Sequence, residues 1–278
     1  MSEHHESLDG GTPSSRPDPL VTLRRLRQRR PSVHAITNLV AMGLTANGLL
    51  AIGAASPVLS GDPAEAAELT RRTHALLLNL GTPDPAWIPG MRVAAVAARA
   101  AGHPIVLDPV GVGMSSLRAG LAQELITDGV TLIKGNASEI RYLADGSGAG
   151  GIEAEAVTSV PSLVRRLAVR VGGVVVATGP VDYISDGHRT LSVHAGHPRQ
   201  ADVTGMGCLA GALIAACCAV DPPLEACASA LALFGAAAEV AARATPGPGS
   251  FAVALLDALA ALPQAPGDPA DRIHTEPV

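Results

Sequence analysis

The stretch from 202 to 208 carries the clearest chemical potential in the sequence, because two glycines flank one residue and a cysteine follows. Gly205 and Gly207 precede an apolar run, 209–220, of the kind that forms a buried helix. A helix that starts at a glycine turn leaves backbone N–H groups unpaired at the positive end of its dipole. Such a helix start binds anions without a basic side chain.

Cys208 is expected in the first turn of this helix, where the pKa of a thiol is lowered. The stretch therefore indicates phosphoryl transfer, in which the amides hold the moving group and Cys208 takes a proton from the attacking alcohol. The alternative is a tight turn whose glycines permit close packing, with the cysteine as a small apolar filler.

Three apolar segments that read as strands are each followed by residues suited to phosphate or metal chemistry. These residues are Asp108, then Lys134 and Asn136 with Glu139, and then Thr178. Ligands bind beyond the carboxyl ends of the strands in open parallel sheets, so these residues are expected at one edge together with Cys208. Asp108 and Glu139 are hard oxygen ligands for Mg²⁺, directly or through water, and Lys134 can neutralise phosphate. The alternatives are a capping box of Asn136 with Glu139, and a cap or surface charge at Asp108.

Short apolar segments alternate with helical patterns along most of the chain, which predicts βαβ units, a largely parallel sheet and an α/β fold. Asp186 and Gly187 lie between two strand-like runs and predict a late hairpin at 183–193.

Asn38 follows the first strand and either caps the next helix or contacts a ligand. The predicted strands are 33–36, 56–60, 75–79, 105–107, 130–133 and 174–177; the predicted helices are 20–30, 39–52, 65–72, 91–101, 117–127, 160–171, 208–220, 224–244 and 251–262.

The composition argues against several functional classes. The 278-residue chain has a net charge of −5 and no basic cluster beside aromatic residues, so nucleic-acid binding is not expected. No unbroken run of about 18 apolar residues occurs, so no membrane span is expected. The four cysteines form no C-x-x-C pair, which argues against a zinc or disulfide framework and suits a reducing cytoplasm.

We expect one domain at 20–262, a disordered extension at 1–19 and a loose tail at 263–278.

Six motifs, in order along the chain, resemble those of the hydroxyethylthiazole kinase family, which belongs to the ribokinase-like superfamily. They are VHAITN at 33–38, LDPVGVG at 107–113, KGNASEI at 134–140, ATGPVDY at 177–183, GMGC at 205–208 and GPGSF at 247–251. The resemblance implies a three-layer α/β/α fold with a mostly parallel central sheet. It also implies ATP- and Mg²⁺-dependent phosphorylation of the side-chain hydroxyl of 4-methyl-5-(2-hydroxyethyl)thiazole in thiamine salvage. A homotrimer with substrate sites between subunits is implied as well.

The same resemblance implies a role for each matching residue. Cys208 matches the catalytic base, and Gly205 and Gly207 belong to the catalytic helix start. The residues matched to the other roles are Asn38, Leu59 and Gly205 for substrate, Lys134, Asn136 and Thr178 for ATP, and Asp108 and Glu139 for the metal.

Three positions depart from the family pattern. Lys134 stands where arginine is frequent, so the charge is kept but the bidentate fork is lost. Leu59 replaces an expected substrate-contacting methionine and keeps an apolar wall. Met206 replaces a small residue between the two glycines, although its backbone amide still serves the anion site.

Other functions remain open on the same residues. They are a ribokinase-like kinase for another small alcohol, such as hydroxymethylpyrimidine, an ATP-dependent dehydratase that repairs hydrated nicotinamide cofactors, and a non-catalytic thiazole- or nucleotide-binding protein.

Overall fold

A mixed sheet of eight strands forms the centre of the computed structural model, which describes residues 16–146, 159–263 and 267–277. The strands are β1 Val33–Ile36, β2 Ala75–Asn79, β3 Ile105–Asp108, β4 Leu132–Asn136, β5 Val174–Thr178, β6 Asp182–Ser185, β7 Thr190–Val193 and β8 Ile273–Thr275. They lie side by side in chain order. The first five are parallel to their neighbours, and β6, β7 and β8 are added antiparallel.

Helices cover both faces of this sheet. They are α1 Pro19–Arg29, α2 Met42–Ile52, α3 Ala66–Arg71, α4 Ile88–Ala101, α5 Ser116–Asp128, α6 Ala137–Asp145, α7 Val160–Val171, α8 Met206–Cys218, α9 Pro223–Ala244 and α10 Pro248–Ala261. The large core contains buried residues of α1, α2, α8, α9 and α10, and two smaller cores contain those of α3 to α7. Alternate residues of one strand face opposite cores, as Leu77 and Leu78 do in β2. This arrangement confirms the predicted three-layer, mostly parallel α/β fold.

The predicted late hairpin is confirmed and has a local cause. Asp186 Oδ1 accepts hydrogen bonds from the N–H groups of His188 and Arg189, at 2.8 and 2.7 Å. Gly187 adopts a φ of 91°, a conformation that side chains with a Cβ disfavour. The turn therefore brings β7 back beside β6.

The strand predicted at 56–60 is wrong. Only Val58 pairs, through one isolated bridge to His34 at the edge of β1. Pro57 has no N–H to donate to a strand partner, which limits pairing on this side.

The two predicted loose ends are partly ordered. Residues 1–15 lie outside the described ranges, but Asp18 caps α1 by accepting from the N–H groups of Leu20 and Val21. In the tail, β8 pairs with β7 and buries Ile273. The described parts of the two terminal segments therefore contact the folded domain, and the domain bounds stay a prediction.

Helix α9 is long and apolar enough to cross a membrane by length and composition alone. However, 83% of its most apolar window is buried inside the protein. Its apolar surface is therefore used in the core beneath the sheet.

Candidate active site

The start of α8 lies at the carboxyl edge of the sheet and leaves backbone N–H groups unpaired, as anion-binding helix starts do. Gly205 is the residue before the helix and has a φ of 93°, and no side chain caps this helix end. The first intrahelical bond to Gly205 is donated by the N–H of Leu209, so the preceding amides of the turn lack helical acceptors. A Cβ on Gly205 would also lie 3.2 Å from Ala41 Cβ. The helix begins at Met206, two residues before the predicted start, which places Cys208 in the first turn as expected.

Gly207 presents the open side of this turn. A Cβ there would meet only the Nζ of Lys134, at 3.3 Å, among the described atoms. Gly207 also lines a cavity of about 760 Å³ beside the helix start. The site therefore has room for a phosphoryl group next to the unpaired amides.

A chain of side-chain amides connects Cys208 to the buried carboxylate of Asp108. Asn38 Nδ2 donates to Cys208 Sγ at 3.1 Å and to Asn79 Oδ1 at 2.8 Å. Asn79 Nδ2 in turn donates to Asp108 Oδ2 at 2.8 Å. Backbone N–H groups of Ala41 and Gly81 bind the amide oxygens of Asn38 and Asn79, which fixes how both amides point.

Asp108 and Lys134 form a buried pair at the centre of the edge. Lys134 Nζ lies 3.5 Å from Asp108 Oδ2 and donates to the carbonyl oxygen of Gly207 at 2.9 Å. Burial raises the pKa of Asp108 to about 6, although Lys134 opposes this shift. Asp108 Oδ1 is buried without a hydrogen-bond partner among the described residues. An unsatisfied buried carboxylate oxygen is costly, which indicates that it has a ligand during function.

The pKa expected for Cys208 is wrong in direction. Burial and the charge of Asp108 raise the pKa of the thiol, and the hydrogen bond from Asn38 only partly opposes them. The helix start therefore does not lower the pKa of this thiol, because the sulfur is largely buried and lies beside an acidic group.

Glu139 is held by backbone amides. Its two carboxylate oxygens accept from the N–H groups of Gly111 and Asn136, both at 2.8 Å. Asn136 Oδ1 accepts from the N–H of Glu139, which completes the capping box anticipated from the sequence. Glu139 is close enough for its charge to raise the pKa of Asp108.

These two carboxylates fit Mg²⁺. The described residues contain no group of three or more metal-binding side chains. Mg²⁺ in kinases is held by one or two carboxylates together with substrate phosphates and waters. Asp108, whose Oδ1 has no partner among the described residues, and Glu139 are two such carboxylates.

The cavity unites most of the residues predicted to bind ATP. Asn136 and Thr178 line it together with Gly207. Lys134 does not line it but contacts the start of α8 through the carbonyl oxygen of Gly207. Leu59 is half-buried against the large core and is not among the residues that line the cavity. No contact of Leu59 with the other predicted site residues is seen among the described residues, whereas hydrogen bonds or the cavity wall connect those residues to one another.

Sequence reasoning missed three residues at this edge. Asn79 ends β2, and Asp182 begins β6. Each is a polar residue next to an apolar run, and that position was the signal available in the sequence. Arg118 donates to the carbonyl oxygens of Leu80, Gly81 and Val110 and joins the loops that follow β2 and β3. No sequence pattern pointed to Arg118.

A mostly parallel sheet whose carboxyl edge carries an open helix start and two carboxylates is typical of phosphotransferases that use a nucleotide and Mg²⁺. The sequence pattern of the Hydroxyethylthiazole kinase family matches residues 23–265. The chain belongs to this family.

Individual hydroxyethylthiazole kinases are similar to this chain over most of its length. A hydroxyethylthiazole kinase of Cereibacter sphaeroides (strain ATCC 17029 / ATH 2.4.9) is 47% identical over 242 residues, which is 86% of this chain and 92% of the relative. One of Desulfosudis oleivorans is 47% identical over 87% of this chain and 90% of its own length. The structure of hydroxyethylthiazole kinase from Pyrococcus horikoshii OT3 has a TM-score of 0.85 at 40% identity, covering 93% of this chain and 99% of that chain. The family, the kinase class and the fold expected from the sequence are thereby confirmed.

Proposed function

We propose that this member of the hydroxyethylthiazole kinase family transfers the γ-phosphoryl group of ATP to the side-chain hydroxyl of 4-methyl-5-(2-hydroxyethyl)thiazole at the start of α8. The observation that carries this proposal is the position of two consecutive residues. Gly207 lines the large cavity, and Cys208 receives a hydrogen bond from Asn38. The first turn of α8 therefore separates space for a phosphate donor from the side chains assigned to the acceptor alcohol.

The nucleotide occupies the cavity in this proposal. Asn136 and Thr178 lie along its wall, and the unpaired amides of α8 receive the transferred group. Lys134 holds a positive charge beside the carbonyl of Gly207, close to the negative charge that develops. Transfer of a phosphoryl group depends mostly on positioning and electrostatics of this kind.

Asp108 and Glu139 would hold Mg²⁺, since Asp108 Oδ1 is free and Glu139 lies beside it. When bound, the ion neutralises charge on the phosphate oxygens. Lys134 and Asn79 hold Asp108 in place for this role through Oδ2.

Its raised pKa keeps Cys208 mostly as a thiol at neutral pH. The base in this proposal is the minor thiolate form, which has lost its proton to solvent and takes the alcohol proton late, when the oxygen has already begun to bond to phosphorus and has become acidic. A loose transition state permits this order, because little proton transfer is needed at the start. The Asn38 amide orients the sulfur and stabilises negative charge on it.

The acceptor side contains Asn38 and Gly205, and Leu59 is assigned to it by family resemblance. Leu39 and Val40 directly follow Asn38 and are 66% and 63% exposed. Exposed apolar residues next to a site suit a subunit interface. We therefore propose that the chain forms a homotrimer in which the substrate site is completed between subunits, and that Leu59 contacts substrate there.

A cytoplasmic location is proposed as well. The structure holds all four cysteines as free thiols, which suits a reducing compartment.

A coupled assay of ADP release tests the function. Wild-type protein receives Mg-ATP with hydroxyethylthiazole or, separately, with hydroxymethylpyrimidine. Release with the thiazole only is the expected result. Release with the pyrimidine only would mean that hydroxymethylpyrimidine, and not the thiazole, is the acceptor. Release with neither would overturn the proposed kinase reaction.

A further inference from the structure

Asp182 lies in the wall of the large cavity, and the proposed reaction leaves it without a role. It is the first residue of β6, and Tyr183 beside it pairs with Ala177 of β5. Asp182 itself pairs with Val193, the last residue of β7. Because β6 is antiparallel to β5, its first residue lies at the edge where β5 ends. Asp182 thus stands between Thr178, which ends β5, and Ala195, which follows β7.

The lining of the cavity combines two sets of residues. Asn136 and Thr178 end the neighbouring strands β4 and β5, and Gly207 lies in the first turn of α8. Four apolar lining residues come from the segment after β7 and from α9; they are Ala195, Pro198, Leu231 and Phe234. A nucleotide with its phosphates at α8 would place its base against these apolar residues, since aromatic bases prefer apolar walls. Its sugar would then lie between the two sets, where Asp182 contributes to the wall.

The carboxylate of Asp182 has free hydrogen-bonding capacity. Its Oδ1 accepts from the N–H of Gly179 at 3.0 Å, and Oδ2 has no partner among the described residues. Asp186, in the turn of the same hairpin, accepts two backbone bonds on Oδ1 and lies near Arg189 through Oδ2. Asp186 is therefore satisfied by its own turn, whereas Asp182 is not.

The charged carboxylate of Asp182 can bind only those groups of a nucleotide that donate hydrogen bonds. Burial raises its pKa to about 6, so the group is mostly ionised at neutral pH and only accepts hydrogen bonds. A phosphate offers no donor and would repel it, and the faces of a base offer none either. The vicinal hydroxyls of a ribose offer two donors to one carboxylate.

We propose that Asp182 binds the ribose hydroxyls of the phosphate donor and makes the enzyme prefer ribonucleoside triphosphates to deoxyribonucleoside triphosphates. This inference rests on the proposed use of ATP in the same cavity. It adds a residue that determines the specificity for the sugar of the donor.

The test compares ATP, 2′-deoxyATP and 3′-deoxyATP as donors to hydroxyethylthiazole in the wild type, Asp182→Asn and Asp186→Asn. Asp186→Asn is the matched control, because asparagine supports the same turn. We expect the wild type and the control to prefer ATP over at least one deoxy analogue by about tenfold in kcat/KM, as for a hydrogen bond to a charged group. In Asp182→Asn this preference should fall to about twofold, mainly through a higher KM for ATP.

Equal use of all three donors by the wild type would overturn the inference, whatever the variants do. Persistence of the full preference in Asp182→Asn would overturn it too. Failure of the proposed kinase reaction has a different signature, because no donor, including ATP, would then phosphorylate the thiazole.

Discussion

Asn38 donates a hydrogen bond from its side-chain nitrogen to the sulfur of Cys208, at 3.1 Å. The same nitrogen donates to Asn79 Oδ1 at 2.8 Å, so Asn79 determines which end of the Asn38 amide faces the sulfur. Both asparagines are buried. The sulfur is thus oriented by a rigid chain of amides that ends at Asp108.

Replacement of Asn79 by alanine should lower kcat about tenfold and change the KM for thiazole little, because Asn38 loses the contact that fixes its amide. Gln123→Ala, which removes an exposed amide on α5, should leave kcat unchanged. Steady-state kinetics of both variants provide the comparison. An unchanged kcat in a folded Asn79→Ala protein would show that the amide chain does not matter for catalysis.

Replacement of Cys208 by serine should lower kcat on the order of 100-fold, within the usual range for a positioned base. Cys208→Asp should retain activity within about tenfold, since a carboxylate accepts from Asn38 and ionises more readily than a thiol. Cys217→Ala, a buried change in the same helix away from the site, serves as the control. A fully active Cys208→Ser enzyme would exclude the base role.

Replacement of Gly207 by valine should abolish activity more completely than either change at Cys208. The added side chain would enter the phosphate space near Lys134, while the helical backbone at this position tolerates it. Gly120→Ala on α5, where a Cβ meets nothing within 4 Å, is the control. Measurement of kcat and of the thermal midpoint separates a blocked site from a misfolded protein, and a fully active Gly207→Val enzyme would contradict the anion site.

The free energy of unfolding should depend on pH through Asp108. Its folded pKa of about 6 is above the unfolded value of 3.8, so the folded state binds more protons between these values. Stability should therefore be greatest below the unfolded pKa and fall as pH rises through about 6, relative to Asp108→Asn. Denaturant unfolding of both proteins at about pH 4 and pH 7 measures this difference. A wild type that gains stability relative to the variant over this range would show that Lys134 outweighs burial.

The alternation of strands and helices was predictable because apolar runs such as β5 and α8 are bounded by glycine, proline or polar residues, and their lengths of 5 and 13 residues distinguish a strand from a helix. The polar ends of the strands also identified the site, since Asp108, Asn136 and Thr178 each end a strand at one edge. The segment at 56–60 was mistaken for a strand because its apolar residues resemble one, although only Val58 pairs.

Features that depend on distant contacts could not be predicted. The three residues of β8 are too few to show a period, and they form a strand only because the free edge of β7 is available. The raised pKa of Cys208 results first from burial and then from the charge of Asp108, which lies 100 positions away in sequence. The roles proposed for Asn79 and Asp182 depend on the sheet, which places them beside Asn38 and Thr178.

Phosphorus NMR of a wild-type reaction with Mg-ATP and hydroxyethylthiazole tests whether the phosphoryl group is transferred at the start of α8. We expect ADP and a phosphate monoester of the thiazole alcohol to appear in equal amounts, and neither to form with Gly207→Val. Formation of ADP with inorganic phosphate instead of the ester, or equal ester formation by Gly207→Val, would contradict transfer at the start of α8.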